Sequence, residues 1–483
     1  MKKKTLFVVA ITILFGGCTM APKYTRPAAP IPKQLPNTVT KQSPAVEKAA
    51  PQPIDIGWRE FFPDKKLQKI IQLALNNNRD LRLAALNVER ARGMYGIQRN
   101  ELYPSIYAGG NKASQRISSD LLRPGEPQRM KQYSVNLGIT SWEIDFFGRI
   151  RSLKAQALQA YLGTKEARRS ARISVISAVA QTYLTLAADL ENRELAESTL
   201  ETRKHAYALI QNSYKAGVAS ELDMERAKTQ VDAARGEIAR AIQRVEQDKN
   251  ALNLLAGKTV KESLLPKSLS TIEPPKGISP GISSEVLLQR PDILMAESTL
   301  KGENAAIGAA RAALFPRISL TTAVGRASRD LSDLFKGGNR TWSFVPQVAM
   351  PIFDARTWSA LKVQKANRKI ALAQYEKAIQ TAFREVADAL AVKSTVNQQV
   401  AAQQSIVNSA NRIYDLSNTR YTQGIDGYLG VLDAERSLYA AKQGLVSLRL
   451  MKLANEVRLY AVLGGGDKAE SNNSDKGEST EMK

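Results

Sequence analysis

The residues that could support catalysis or bind a metal are few in this sequence. A single cysteine, Cys18, and a single histidine, His205, occur among its 483 residues, so the usual nitrogen and sulfur ligands of a zinc site are almost absent. No convergent cluster of polar side chains, of the kind that an enzyme needs, is evident in the sequence. We therefore predict that the protein is not an enzyme and holds no metal and no cofactor.

Cys18 stands at the end of an export signal. Three lysines at positions 2–4 precede an apolar run over residues 5–15. The run has about half of the ~20 residues that a membrane-spanning helix needs, so it predicts a signal peptide over residues 1–17 that is removed on export. Two glycines lead directly into Cys18, which predicts that a lipid is attached to this cysteine. The alternative is a free, buried thiol.

Leu429, Asp433 and Arg436 form the other candidate site. Their spacing of i, i+4 and i+7 places all three side chains on one face of a helix. Taken alone, an Asp and an Arg so placed are usually a solvated pair that adds a few tenths of a kcal/mol to stability. The three residues by themselves therefore leave the role of this face open.

Two short breaks interrupt the long helical stretches of the sequence, and the candidate face follows the second break. The breaks lie at residues 214–220 and 421–427. Gly217 and Gly424 fit the left-handed residue that ends a helix, and Ser220 fits the cap of the next helix. As structure alone, the breaks predict two helix hairpins and imply no function.

The net charge of the chain limits the classes of partner that it could bind. The net charge is +23, and it is still +20 (23 − 3) without the three lysines of the signal. In a cytoplasmic chain such a charge would favour nucleic acid, but the export signal argues against nucleic acid here. Anionic lipid headgroups and anionic solutes remain, and the residues do not choose between them.

The two ends of the mature chain differ from its middle. Residues 18–57 are rich in proline, which predicts an extended, lipidated tether rather than a packed element. Residues 465–483 are mostly glycine, serine, asparagine and charged residues, which predicts a disordered tail.

An internal duplication organises the chain between these ends. It predicts a first repeat over residues 58–257, a linker over 258–283 and a second repeat over 284–464. Each repeat is expected to run helix, strand, loop, strand, very long helix, short break and long helix, with strand hairpins at 103–147 and 315–353. Matching pairs 212 positions apart include Arg99 with Arg311 and Pro104 with Pro316, and pairs 207 apart include Arg149 with Arg356, Tyr214 with Tyr421 and Gly217 with Gly424.

The predicted strands alternate between apolar and polar residues. In the first hairpin, Val135, Leu137 and Ile139 alternate with Ser134 and Asn136. This period of two suits a barrel strand that has lipid outside and water inside. Alternation alone, however, favours an ordinary half-buried sheet.

The long helices are the stronger signal. No proline occurs over residues 151–257 or after residue 351, and Ile173, Ile176 and Ala180 begin a coiled-coil seam. A helix over residues 151–216 would be ~100 Å long, so such helices must pack against one another.

No segment after the signal approaches a spanning helix, so a membrane crossing would need strands in a closed barrel. A filamentous coiled coil without a pore is the alternative.

The number of strands requires assembly. Two repeats supply four strands, whereas known single-chain barrels begin at about eight. An open sheet edge cannot lie in lipid, so the chain must assemble with copies of itself. Three copies would give twelve strands (3 × 4), but the residues do not fix the number of copies.

The chain carries several short motifs, both within the repeats and before them. They are Gly17-Cys18, Pro22-Lys23-Tyr24-Thr25-Arg26-Pro27, Trp58-Arg59-Glu60-Phe61-Phe62, Asp145-Phe146-Phe147-Gly148-Arg149, Arg290-Pro291-Asp292-Ile293 and Pro351-Ile352-Phe353. With these motifs the chain resembles the outer membrane factor family, the TolC-like exit ducts, and in particular its lipidated, OprM-like branch. The resemblance covers nearly the whole mature chain. One departure is Ala355, where a glycine often precedes the arginine.

The resemblance implies both a fold class and a function. The fold class is a mixed α and β membrane protein, a trimeric duct with a shared twelve-strand transmembrane β-barrel and a long α-helical coiled-coil tunnel in the periplasm. The function is passive exit across the cell outer membrane of solutes that an inner-membrane pump expels through a periplasmic membrane-fusion adaptor. In the lipidated branch the pump is usually of the resistance-nodulation-division type. The implied partners are thus two further copies of the chain, an adaptor, a pump and outer-membrane lipid.

The resemblance also assigns roles to the candidate residues. Leu429, Asp433 and Arg436 match positions that line the periplasmic gate, where three aspartates would form an acidic ring that favours cations. Some members carry an acidic residue where this chain has Gly430, so one layer of carboxylates is missing.

Other family positions match the two breaks. Asp223 and Tyr421 match a pair that links neighbouring hairpins, so their separation is expected to accompany opening. Gly217, Ser220 and Gly424 belong to the tips, where the adaptor docks.

Other interpretations stay open. The chain is alternatively the outer-membrane exit duct of a secretion or metal-export system, or a pore-free coiled-coil lipoprotein spacer. A periplasmic adaptor would need a lipoyl-like β-domain between its helices, and no such stretch is evident. The sequence specifies neither the substrate nor the particular pump and adaptor.

Overall fold

The chain folds into two compact units, each built from both repeats. The computed structural model describes residues 19–35, 56–277 and 283–465. The predicted signal peptide, Cys18 and the predicted tail beyond residue 465 therefore lie outside the described residues. Of the described residues, 19–28, 87–165 and 295–375 form the first unit, and 29–35, 56–86, 166–277, 283–294 and 376–465 form the second.

Within the described ranges the chain forms long helices and one antiparallel sheet. The helices are α1 Trp58–Phe61, α2 Lys65–Asn77, α3 Arg79–Asn100, α4 Arg149–Lys215, α5 Glu221–Ala256, α6 Pro291–Ala312, α7 Ala355–Thr422 and α8 Tyr428–Val462. The strands are β1 Ile106–Arg116, β2 Arg129–Ile144, β3 Arg317–Ser328 and β4 Arg340–Ala349. Short 3₁₀ turns lie at Ser119–Leu121, Glu262–Leu264, Leu269–Thr271, Ser284–Gln289 and Leu331–Asp333.

The element order repeats. The series α3, β1, β2, α4, α5 is followed by α6, β3, β4, α7, α8. Helices α3 and α6 have 22 residues each, α4 and α7 have 67 and 68, and α5 and α8 have 36 and 35. The boundaries between the units fall within α3, α4, α6 and α7, whereas all four strands belong to the first unit.

The sheet of the first unit has the strand order β1-β2-β3-β4. Every neighbouring pair is antiparallel, so hairpins join β1 to β2 and β3 to β4. The register between β2 and β3 shifts between Ile139 and Trp142, where Ser141 has a φ of 51°. This β-bulge keeps Trp142 on the same face as Ile139, because the extra residue restores the alternation. Strands β1 and β4 are the outer strands of the sheet.

The second unit has a helical core. In α4 the predicted seam residues Ile173, Ile176, Ala180 and Tyr183 are buried. Cap residues fix where neighbouring helices begin and end: the Asp64 side chain accepts hydrogen bonds from two backbone amides at the start of α2. Helix α5 ends at Gly257, which has a φ of 69° and lies so close to Asn77 that a Cβ would collide with it.

The segment Arg290-Pro291-Asp292 ties three parts of the second unit together. Arg290 is buried and donates to both Asp292 (2.7 Å) and Glu385 (3.0 Å). It also donates to the backbone oxygen of Val462 at 2.7 Å. Burial lowers the pKa of this guanidinium, but the two carboxylates outweigh that effect and hold the pKa above its ordinary value.

The prediction that no segment after the signal has the composition of a spanning helix is wrong. Helix α4 contains an 18-residue window that is long and apolar enough to cross a membrane. Within the structure, 61% of that window is buried, and this is typical of a helix in the core of a folded unit. The apolar residues of this window therefore pack within the protein.

The prediction of an unpacked tether is also wrong for residues 19–28, which we call the strap. The strap has no regular secondary structure, but it lies along α6 in the first unit. Arg311 donates to the backbone oxygen of Met20 (3.2 Å), and Asn304 donates to that of Pro22 (2.7 Å). Such a path satisfies backbone carbonyls that a free tether would leave to water.

Glu297 holds the far end of the strap. It accepts from Tyr24 (3.1 Å) and Arg26 (2.7 Å), and Lys301 lies 3.0 Å from the same carboxylate. Burial raises the pKa of Glu297, but Lys301, Arg26 and Tyr24 together hold it below its ordinary value. This carboxylate is therefore the main charged anchor of the strap.

Candidate functional site

The two helix hairpins of the second unit turn through the same backbone geometry. After α4, Gly217 has a φ of 74°, and its amide donates to Tyr214 while the Val218 amide donates to Ser213, both at 2.9 Å. After α7, Gly424 has a φ of 74°, and the corresponding two bonds are also 2.9 Å. These paired bonds are a Schellman motif, which requires a residue that tolerates the left-handed region.

The two tips differ in how the next helix starts. The Ser220 hydroxyl accepts from the Asp223 amide (3.1 Å) and donates to the Asp223 carboxylate (2.6 Å), so it caps α5. Helix α8 starts after Gly427 without a side-chain cap. At that tip, Arg420 instead pairs with Asp426 through two hydrogen bonds of 2.5 and 3.0 Å.

An apolar cluster holds the two tips of one chain together. Its buried members come from α4, α5 and α8, and Tyr421 from α7 packs against them. The ring of Tyr421 lies 5.2 Å from the ring of Tyr428. The buried members are Ile210, Ala227, Tyr428, Val431 and Leu432.

The predicted face of α8 exists as an exposed surface. Leu429 is 52% exposed, and Asp433 and Arg436 are exposed beside it. The opposite side of the same helix is buried, because Val431 and Leu432 pack into the apolar cluster. Asp433 and Arg436 share the face, but no nitrogen of Arg436 lies within 4.0 Å of the Asp433 carboxylate within the described part of the chain. The structure thus brings these residues to one face without joining them.

Asp223 and Tyr421 come near each other without a hydrogen bond between them. Burial, followed by the negative charge of Asp223, raises the pKa of the Tyr421 hydroxyl. The Asp223 carboxylate bonds to Ser220 instead. No hydrogen bond joins these two residues within one chain, and the link between neighbouring hairpins stays a prediction.

A buried ion pair near the tips was missed by the sequence analysis. The Arg203 guanidinium donates to the Glu435 carboxylate at 2.7 Å and to the backbone oxygen of Gln230 at 3.1 Å. Side-chain exposure is 8% for Arg203 and 11% for Glu435. The pair joins α4, α5 and α8. Its only signal in the sequence is a glutamate on the buried side of α8.

A second missed feature is a pair of carboxylates between α4 and α5. Burial, and then the charge and hydrogen bond of Asp189, raise the pKa of Asp248 to about 6. Arg244 lies 3.4 Å from Asp189 on the same side. Ionisation of Asp248 would place a second negative charge beside Asp189 in a partly buried site, so Asp248 keeps its proton up to about pH 6.

The sheet of the first unit presents one apolar and one polar face. Residues directly opposite each other in antiparallel strands share a face, so the register assigns every strand residue to one of them. The apolar face carries Ile106, Val135, Leu137, Ile139, Trp142, Ile144, Ile318, Leu320, Val324, Trp342, Phe344 and Val348. The polar face carries Asn111, Gln132, Ser134, Asn136, Ser319, Thr321, Thr341, Ser343 and Gln347.

Metal ligands do not gather anywhere in the described ranges. No group of three or more His, Cys, Asp and Glu side chains there could hold a metal ion. Cys18 lies outside those ranges, next to Thr19, whose hydroxyl forms a hydrogen bond of 3.2 Å with Ser152 at the start of α4. The described residues thus provide two helix tips, an exposed face on α8, and a sheet with one apolar and one polar face.

A family model described as outer membrane efflux protein matches residues 70–258 and 282–465. These stretches make up well over half of the chain. The chain belongs to the outer membrane efflux protein family. This family assignment agrees with the structure of the sheet, which has one apolar face that suits lipid and one polar face that suits water.

Relatives and solved structures agree with this assignment. The chain is 43% identical over 468 residues to a probable efflux pump outer membrane protein, TtgC, of Pseudomonas putida, with 96% of each chain covered. It is 40% identical to the outer membrane protein OprJ of Pseudomonas aeruginosa, with 94% of each covered. The open state of the MtrE outer membrane channel of Neisseria gonorrhoeae matches with a TM-score of 0.82 and 36% identity, covering 94% of this chain and 99% of that one.

Several sequence predictions are thereby confirmed for this outer membrane efflux protein. They are the family, the function in efflux, the location in the outer membrane and the fold class of a channel subunit with long helices and barrel strands. The roles of individual tip and gate residues, and the lipid on Cys18, stay predictions.

Proposed function

We propose that three copies of this outer membrane efflux protein form a passive duct, and the four-stranded sheet is the observation that carries the proposal. Strands β1 and β4 are the edges of the sheet. An unpaired edge cannot lie in lipid, so β4 of one copy must pair with β1 of the next until the ring closes. Three copies give twelve strands (3 × 4), with the apolar face toward lipid and the polar face toward a wet lumen.

The gate of this duct lies at the exposed face of α8. Three Leu429 side chains pack against one another around the axis, and three Asp433 carboxylates form an acidic ring beside them. The exposure of both residues in one chain supports this placement, since their partners come from the other copies. The ring favours cations and disfavours anions, and Arg436 holds the carboxylates to neighbouring helices.

Single-channel conductance in a planar bilayer tests the duct and the gate together. We expect a small conductance for the wild type and a larger one for Asp433→Ala, because the substitution removes the acidic ring. Equal, small conductances in both proteins would leave the duct and move the constriction to Leu429. A folded sample that forms no channel would contradict the duct itself and favour a pore-free spacer.

The helix tips receive the periplasmic adaptor, which connects the duct to an inner-membrane pump of the resistance-nodulation-division type. Val218 is 83% exposed at the first tip, and Ile425 is 57% exposed at the second. Exposed apolar side chains at such turns are typical of an interaction surface. Val218→Asp should abolish co-purification of the adaptor and leave the conductance of the duct unchanged. Retained co-purification would contradict docking at this tip.

Cys18 carries the lipid that anchors the mature chain in the outer membrane. The hydrogen bonds of Thr19 and the strap support this assignment, because they place the following residue beside the start of α4, next to β2. Lipid chains add membrane affinity of about 0.8 kcal/mol per buried methylene. Incorporation of labelled palmitate into the wild type, and its loss in Cys18→Ser, is the expected result.

A further inference from the structure

One end of the apolar face of the sheet is strongly basic. Residues that lie opposite each other in neighbouring strands share a face of the sheet. The pairing of the strands therefore places six basic side chains on the apolar face, together with Tyr133 and Val135, and none on the polar face at this end. We call these six residues the basic rim. They are Lys112, Arg116, Arg129, Lys131, Arg326 and Arg340.

The basic rim lies at the end of the strands that is farthest from the helices. It borders the turns at residues 117–128 and 329–339, which join β1 to β2 and β3 to β4. The other end of the apolar face connects to α3 and α4 and carries Ile106, Ile144 and Val348. The two ends of the face therefore differ in charge, although an ordinary lipid-facing band would be apolar at both.

The cations of the basic rim are not neutralised within the described residues. None of the six lies within 4.0 Å of a carboxylate there. Two acidic residues of the turns have other partners: Asp333 pairs with Lys336 at 2.7 Å, and Glu126 accepts from the backbone amide of Arg123. Charge on this face must therefore be balanced by something outside the chain.

Three of the six also have local structural contacts. Arg326 donates to the backbone oxygens of Phe335 (2.7 Å) and Lys336 (2.9 Å), and Arg116 donates to Gln128 (3.1 Å). Lys112 lies over the Tyr133 ring at 5.4 Å. Arg129, Lys131 and Arg340 are exposed and make no such contact within the described ranges, so they are the ones free to meet a ligand.

We infer that the basic rim binds phosphate groups of lipids in the outer leaflet of the outer membrane. The inference rests on the proposed insertion of the sheet, since only then does the apolar face meet lipid. The rim then lies at the outer headgroups, above Trp342 and Phe344, which meet the acyl chains. Anionic solutes in the lumen would meet the polar face instead, and that face is uncharged at this level.

Lipid retention measured by native mass spectrometry tests the inference. Purified trimer is mixed with bisphosphorylated lipid A, with the same lipid after removal of its phosphates, or with inorganic phosphate as a competitor. The wild type should retain the bisphosphorylated lipid in preference to the dephosphorylated one. The triple variant Arg129→Gln, Lys131→Gln, Arg340→Gln should bind it more weakly by about fivefold for each removed cation.

A matched triple variant controls for net charge. Lys362, Lys365 and Arg368 are exposed on α7 of the same unit, and Lys362→Gln, Lys365→Gln, Arg368→Gln should retain the lipid as the wild type does. Equal retention of both lipids by the wild type, equal losses in the two triple variants, or displacement of the lipid by inorganic phosphate alone would overturn the inference. A wild type that conducts without selecting the phosphorylated lipid refutes the rim alone, whereas a folded wild type without conductance refutes the proposed duct.

Discussion

At the scale of single residues, the buried ion pair of Arg203 and Glu435 should contribute more to the stability of the helix tips than any exposed ion pair does. Glu435→Gln keeps the shape of the side chain but leaves the Arg203 charge uncompensated in a buried site. Loss of one partner of a buried pair costs about 3 kcal/mol or more, so the thermal midpoint of the helical circular-dichroism signal should fall.

The adjacent exposed pair is the control for that substitution. Lys204 lies 2.8 Å from Glu201 on the same helix, and both side chains are exposed. Glu201→Gln should leave the thermal midpoint nearly unchanged, because water screens an exposed pair. Equal effects of Glu435→Gln and Glu201→Gln would mean that the buried pair is not a support of the tips.

Glu297 makes the strap sensitive to acid. Its pKa is held below the ordinary value, so its stabilising effect is present above the ordinary Glu range and is lost as pH falls through the lowered pKa. The protection of the amides of residues 19–28, measured relative to their intrinsic exchange rate at each pH, should therefore fall on acidification of the wild type. In Glu297→Gln, this protection should already be low at neutral pH and change little with acid. Slow exchange in the variant at neutral pH would assign the strap's stability to Asn304 and Arg311 instead.

At the scale of elements, the carboxylates Asp189 and Asp248 should make the stability of the hairpin of α4 and α5 depend on pH. The direction is opposite to that expected for Glu297 and the strap. The pKa of Asp248 is raised from 3.8 to about 6, so its proton stabilises the hairpin at low pH. That contribution is lost as pH rises through about 6. The thermal midpoint of the wild type should thus fall between about pH 4 and about pH 7.

The variant Asp248→Asn isolates this effect. It should unfold at a higher temperature than the wild type at neutral pH, with a smaller dependence on pH across that window. Asp232→Asn is the control, because Asp232 lies on the same helix and pairs with Arg235 at the surface at 2.9 Å. If the two variants have the same pH profile, the carboxylate pair is not the cause.

Elements were predictable where the signal is local. The absence of proline over residues 151–257 predicted the long helices, and the glycines of the two breaks predicted the turns between them, because both effects act on neighbouring residues. The Arg203–Glu435 pair joins residues 232 positions apart, and no local pattern encodes such a contact. The basic rim escaped prediction for a related reason: only the pairing of strands places Arg129 and Arg340 on one face.

At the scale of the whole molecule, the assembled duct requires that the two faces of the sheet meet different solvents. A charge on the lipid side must be taken out of water, whereas a charge on the lumen side stays hydrated. The cost of an arginine near the middle of a barrel's lipid-facing side is about 2–4 kcal/mol. Neighbouring residues of one strand, which point to opposite faces, therefore respond differently to the same substitution.

Phe344 and Ser343 of β4 provide that comparison. Phe344 lies opposite Thr322 on the apolar face, and Ser343 lies opposite Ala323 on the polar face. Phe344→Arg should sharply reduce the amount of heat-resistant trimer in the outer membrane, because three arginines per trimer would enter lipid. Ser343→Arg adds the same charge to the wet lumen, so trimer should form and its conductance should shift toward anions. Equal loss of trimer in both variants would mean that the sheet does not separate lipid from water, and the closed ring of three copies would fail with it.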